Sequence, residues 1–251
     1  MDSVHALYTH TLFYLAQVQG NLHRPQRSSH YVEATLERQL QQAGRAAEIQ
    51  AGPRASRVVN EQERLDVLDR VEWANNALRL ADYYTKIKLY DHAGHCLAAA
   101  QLNLDREKEA AGEGTDMPES YQRAVAETSM HLGALYLDAH HTAAGTPQAR
   151  PETTPLPFLN LLAGSPPIRV PKPESITDWE PAKDVFMTSQ NYFVAAQKFF
   201  VLDGFVTEHV AIQFSVARLF KYLSVWESAP KRQLAMHQRR VKLLSPLLVR
   251  V

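Results

Sequence analysis

Apolar residues recur at spacings of three and four along most of the chain, and the polar positions between them keep the same register. Leu7, Tyr8, Thr11, Leu12, Tyr14, Leu15 and Val18 set a helix over 4–18, punctuated by Gly20 and Pro25. Tyr31, Leu36 and Leu40 share a face of a second helix over 26–42, so residues 1–42 predict a helical hairpin. The stripe then lapses. Gly44, Gly52, Pro53 and the run Arg54-Ala55-Ser56 interrupt it, and residues 43–71 read as a partly disordered insertion, with helix returning near Asn60 on Leu65, Leu68 and Val71. A second hairpin follows, one helix over 72–87 and its partner over 91–104. After a loop ending near Pro118 comes a further helix over 119–140. Residues 142–181 hold Pro147, Pro151, Pro155, Pro157, Pro166, Pro167, Pro171, Pro173 and Pro181, which predicts an extended linker because proline breaks helix interiors. The last unit, 182–251, predicts helices over 184–200, 205–226 and 231–248, the last broken near Pro246. No segment alternates with period two over a useful length, so no sheet is expected.

The spacing inside the hairpins is that of a tetratricopeptide (TPR) repeat, two antiparallel helices in about 34 residues. In that repeat a small residue beside a leucine lets the paired helices approach, and alanines in the second helix do the same from the other side. Leu80-Ala81, Tyr84, Ala93, Leu97 and Ala100 fit these positions in the second hairpin. The first hairpin matches at Leu12, Leu15 and Ala16 and departs at Gln19 and Ser28. The last unit offers Val185, Ser189 as its small residue, and Tyr192. The expected fold class is all-α, a TPR-like solenoid of helical hairpins (an α-α superhelix), incomplete and carrying a Pro-rich linker.

Composition narrows the function classes. Lysine plus arginine equals aspartate plus glutamate at 27 each, so no net positive charge argues for nucleic acid. No apolar run approaches the roughly 18 residues that read as a membrane span. The single cysteine, Cys96, excludes an intrachain disulfide and suits a reducing compartment. Neither a phosphate-binding loop nor a metalloprotease or serine-hydrolase motif occurs, so no enzyme, cofactor, metal or small-molecule substrate is expected. His140-His141 reads as a solvated helix end, since adjacent helical residues do not share a face. Cys96 reads as a small buried thiol. Lys231, Arg232, His237, Arg239, Arg240 and Lys242 form a basic cluster, read as a solvated helix face or a contact for an acidic partner.

Three stretches carry a resemblance. They are Tyr8-Thr-His-Thr-Leu-Phe-Tyr-Leu-Ala-Gln-Val18 with His30-Tyr31 and Arg38-Gln39-Leu40; Glu72-Trp73-Ala74 continuing to His95-Cys96-Leu97; and Lys198-Phe-Phe200, Asp203-Gly204, Val206-Thr207-Glu208-His209, Leu219-Phe220-Lys221 and Met236-His237 with Arg239-Arg240. In order and content they resemble the KIF-binding protein family of kinesin-binding TPR proteins, over something more than half the chain. The resemblance implies a non-enzymatic cytoplasmic protein, associated with the cytoskeleton, that binds kinesin motor domains and holds them off the microtubule, with consequences for axon growth and neurogenesis. The family's further repeats before and after the match are missing, so the solenoid is expected to be incomplete. A TPR stack grips a helix on the inner faces of its first helices. Those positions are Tyr14 and Gln17 in the first hairpin and Asn75, Arg79 and Asp82 in the second, with Gln39 matching the family's Arg-Gln-Leu string. The alternative is a generic TPR adaptor for a peptide tail, a mode that needs basic and amide groups converging on a carboxylate.

Overall fold

A computed structural model describes residues 2–51, 68–145, 156, 158–162, 168 and 170–249. Among them are eight α-helices and no strand: α1 (Asp2–Asn21), α2 (Pro25–Ala51), α3 (Arg70–Lys86), α4 (Tyr90–Ala111), α5 (Glu119–Ala143), α6 (Trp179–Gln197), α7 (Val206–Trp226) and α8 (Pro230–Val249). They pair as four hairpins, α1 with α2, α3 with α4, α5 with α6 and α7 with α8, and each hairpin packs on the next. The result is a helical-hairpin solenoid.

Local chemistry sets the helix ends. Pro25 opens α2, where a missing N–H costs nothing. The Asp69 carboxylate accepts the backbone N–H of Glu72 at 2.9 Å and starts α3, as Asp178 accepts that of Glu180 at 3.1 Å to start α6. Small residues set how closely helices approach. Ala16 is buried where α1 meets α2, and its carbonyl accepts the Ser28 hydroxyl at 2.8 Å. In the second hairpin Leu80, Ala81, Tyr84, Ala93, Leu97 and Ala100 are all buried in one core, as the repeat spacing requires.

Four sequence expectations change. First, α2 does not stop at Gln42 but runs to Ala51, through Gly44. A single glycine costs only about 1 kcal/mol in a helix, and flanking Ala43, Ala46 and Ala47 favour it. The return of helix at Asn60 and Leu65 lies outside the described residues, and α3 begins at Arg70. Second, α8 continues through Pro246 to Val249. A proline in the last turn removes only the N–H that would reach the Lys242 carbonyl, too little to end the helix. Third, the helix over 119–140 gains a partner: α5 pairs with α6 across the Pro-rich segment. The Ser189 hydroxyl, fully buried, donates to the Gly133 carbonyl at 2.7 Å, and a β-carbon at Gly133 would stand 3.0 Å from the Phe193 ring. Fourth, the described part of the Pro-rich segment is not a free linker. Phe158 and Leu161 are buried in the core of the second hairpin, with the Phe158 ring edge-on to Trp73 at 5.3 Å, and Ile176 is buried in the core of the last two. Three apolar residues spaced along a proline-rich strap lay it across two hairpins.

Trp73 is the junction. It is fully buried, its indole N–H donates to the Leu36 carbonyl of α2 at 3.2 Å, and its ring meets Phe158. A second core, with Phe186, Phe193, Phe200, Ile212 and Leu219, joins α5, α6 and α7. No described helix is long and apolar enough to cross a membrane.

Candidate functional site

In a stack of hairpins the first helices line up along one side, and polar residues there stay in water while their neighbours one turn away pack. α1 and α3 are first helices of successive hairpins. Between them, floored by the start of α2, lies a groove of about 790 Å³. Gln17 reaches it from α1, Val32 and Thr35 from α2, and Arg79, Asp82 and Tyr83 from α3. The lining is mixed: Phe13, Val32 and Leu80 offer apolar contact, and Gln17, Arg79 and Asp82 offer polar groups, the combination that takes an amphipathic segment.

The rim is electrostatically lopsided. Lys86 and Asp82, both lining the groove, pair with each other across one helical turn, which leaves the exposed Arg79 guanidinium as the cation that faces incoming material from α3. Asn76 sits deeper, 7% exposed, and its side-chain nitrogen meets no acceptor among the described residues. Near the groove, the Tyr84 hydroxyl donates to Glu33 at 3.3 Å, and burial, with Glu37 adding to it, pushes the Glu33 carboxyl upward.

Of the six residues singled out in the sequence, Gln17, Arg79 and Asp82 come together as groove lining. Tyr14 lies on α1 about one turn before Gln17, 63% exposed, and extends the surface outside the groove. Gln39 and Asn75 are half-buried on α2 and α3 and do not line it; each has a buried side-chain oxygen that meets no donor among the described residues. The sequence reading missed Phe13, Asn76 and Tyr83. Helical spacing could have found them, since they stand four before Gln17, three before Arg79 and four after Arg79.

The hydroxyls that line the groove from α2 are engaged with backbone carbonyls. The hydroxyls of Ser28 and Ser29 donate to the carbonyls of Ala16 and Gln26. Cys96 is buried in the core, and burial pushes its thiol far up, away from a reactive thiolate. Among the described residues no group of His, Cys, Asp and Glu could hold a metal ion. His140 corrects an expectation: it is not a solvated helix end. α5 extends to Ala143, the imidazole is fully buried, neither ring nitrogen meets a partner among the described residues, and burial lowers it to about 4.

Comparison with known proteins finds relatives over most of the chain. The family model described as "KIF-1 binding protein C terminal" matches residues 71–135 and 169–251. The chain is 27% identical over 277 residues to the KIF-binding protein of Bos taurus, covering 97% of this chain and 41% of that protein. It is 30% identical over 276 residues to the one from Danio rerio, with coverages of 96% and 40%. To the one from Dictyostelium discoideum it is 22% identical over 315 residues, with coverages of 98% and 46%. The chain thus spans less than half the length of the curated relatives it matches. No solved structure matches it.

Proposed function

The chain belongs to the KIF-1 binding protein C-terminal family, and from that premise we propose that it is a non-enzymatic protein that binds kinesin motor domains and blocks their attachment to microtubules. The observation that carries the reading is the groove between α1 and α3, where Gln17, Arg79 and Asp82 line it together with Phe13, Val32 and Leu80. A helix of the motor laid in that groove has its apolar face buried and its polar face met by the amide, the guanidinium and the carboxylate. If that helix is one the motor otherwise sets against tubulin, the two surfaces compete, and inhibition follows from exclusion alone. Tyr14, exposed beside the groove, widens the contact, and Gln39 and Asn75 stand behind it at the α2 and α3 level. The protein acts in the cytoplasm at the cytoskeleton, and through motor supply it affects microtubule transport and axon growth.

The test is co-sedimentation of a kinesin motor domain with microtubules as the purified chain is titrated in. The expected result is transfer of motor from pellet to supernatant. Gln17→Ala combined with Arg79→Glu should weaken this by about tenfold or more, the loss of one amide contact and reversal of one rim charge. A folded chain that leaves the motor in the pellet at saturating concentration defeats the proposal. An unchanged affinity in the double variant defeats the groove as its seat.

A further inference from the structure

A second surface lies at the C-terminal ends of the first helices, and its side chains come from three successive hairpins. Lys88 sits in the turn between α3 and α4, held there in a left-handed conformation at φ 65°. His141 is in the last turn of α5. Arg218 and Lys221 stand three residues apart on α7. The common element is Tyr222, largely buried: His141 stacks on its ring at 4.7 Å and 23°, Arg218 lies 6.0 Å and Lys221 5.9 Å from its centroid. Asp138 is the acid beside this cluster, and it is spent, accepting from Lys88 at 2.7 Å and from the Tyr90 hydroxyl at 2.8 Å.

Several cations elsewhere on the solenoid have carboxylates: Arg70 has Glu107, Arg123 has Glu127 and Glu208, Lys183 has Glu180 and Arg232 has Glu227. Arg218 and Lys221 are exposed and meet no carboxylate among the described residues. Of the five donors of its guanidinium, Arg218 spends one on the Tyr222 hydroxyl at 3.4 Å. Both cations stand about 6 Å from the ring centroid, at the outer limit of a cation–π contact, and keep their charge on the solvent side.

We propose that this surface, centred on Arg218, Lys221 and His141 around Tyr222, is a docking site for a short acidic segment of another polypeptide, distinct from the groove between α1 and α3. The geometry sets the pattern. Residues three apart on a helix have β-carbons about 5–6 Å apart, and alternate residues of an extended strand project about 6.6 Å apart on one side. An extended segment with carboxylates at alternate positions therefore places one on the Arg218 fork and the next on the Lys221 ammonium. His141 supports this as a neutral ring: burial, and the charges of Arg218, Lys88 and Lys221, hold its pKa down against Asp138. Two free cations are too few for a nucleic-acid backbone, which is bound by many phosphate contacts.

The experiment uses the full chain and a fluorescein-labelled peptide of alternating glycine and glutamate, ten residues long, followed by anisotropy at low salt. Saturable binding that weakens as salt is raised is expected. Arg218→Glu with Lys221→Glu should weaken it by about tenfold or more, and the milder Arg218→Gln by a smaller factor, with helical circular dichroism unchanged. Arg239→Glu is the control. That cation is also exposed, but it lies over Phe220, 5.8 Å from its ring, on another side of α7, so its reversal should leave peptide affinity within about twofold. Three outcomes overturn the proposal: no binding of the peptide, equal damage from Arg239→Glu and the Arg218 and Lys221 reversals, or tighter binding of a ten-nucleotide oligothymidylate or of phosphatidylserine vesicles than of the peptide. Motor binding by the groove is independent of each result.

Discussion

Phe158→Ala tests whether the Pro-rich strap holds the solenoid together. The ring is 7% exposed and meets Trp73 edge-on at 5.3 Å, in the core that also contains Leu97, Leu132 and Leu161. Truncating a buried phenylalanine costs about 3–5 kcal/mol when the site cannot collapse, and an aromatic pair adds about 0.5–1.5 kcal/mol to area burial. The strap can relax more than a helix can, which places the expected loss at the low end, about 3 kcal/mol. Urea unfolding followed by circular dichroism reads the total. The indole of Trp73, which the substitution leaves facing a void or water, gives a local reading: its emission should shift to the red. A double-mutant cycle with Trp73→Phe isolates the contact, with a coupling of about 1 kcal/mol expected. A loss below about 0.5 kcal/mol with unchanged Trp73 emission would refute the docked strap, because surface substitutions fall in that range.

Three further predictions rest on buried positions. Ser189→Ala removes the hydroxyl that donates to the Gly133 carbonyl between α5 and α6 and should cost about 1 kcal/mol in urea unfolding. Gly133→Ala should also destabilise, by about 1–2 kcal/mol, because its β-carbon would press on Phe193 by more than the gain in helix propensity repays. His140 should make stability fall in mild acid. Burial lowers its folded pKa from 6.5 to about 4, so between those values the unfolded chain takes up a proton that the folded chain refuses. Its contribution is complete above about pH 6.5 and is lost as the pH falls toward 4, by up to about 1.4 kcal/mol per pH unit. Urea midpoints at pH 7 and pH 5 for the wild type and His140→Phe measure it. A variant whose midpoint falls as steeply as the wild type would remove His140 as the cause.

What could be seen in the sequence follows from how far each signal reaches. The α3–α4 hairpin was legible because its pattern is local: Leu80-Ala81, Tyr84, Ala93, Leu97 and Ala100 fall within one repeat, and all are buried where the repeat needs them. The α5–α6 hairpin was not, because the partners are separated by the Pro-rich segment, and the contact that joins them, Ser189 on Gly133, is visible only across it. Prolines disfavour helix interiors but do not forbid packing. Phe158, Leu161 and Ile176 carry the strap's attachment, and isolated apolar residues among prolines have no period to announce them. The burial of His140 was hidden for a related reason. A helix end looks solvated until the neighbouring helices are placed over it.

The candidate surfaces divide along the same line. Gln17, Arg79 and Asp82 converge because equivalent inner positions of successive first helices must lie side by side in a stack, so repeat register alone brings them together. Gln39 and Asn75 sit in the same repeats, but half-buried, where rotation by one helical position turns a groove residue into an interface residue. Charge behaves differently. The basic run on α8 stands out in the sequence, yet the structure gives Arg232 to Glu227, sets Arg240 against His237 and lays Arg239 over Phe220. Arg218 and Lys221, which also meet no carboxylate among the described residues, are only two residues in their own helix. They matter because Lys88 and His141, 133 and 80 residues before Lys221, arrive beside them through the stacking of three hairpins. A partner recognised there is recognised by the superhelix, so a variant that loosens the α5–α7 packing should weaken acidic-segment binding even with every cation intact.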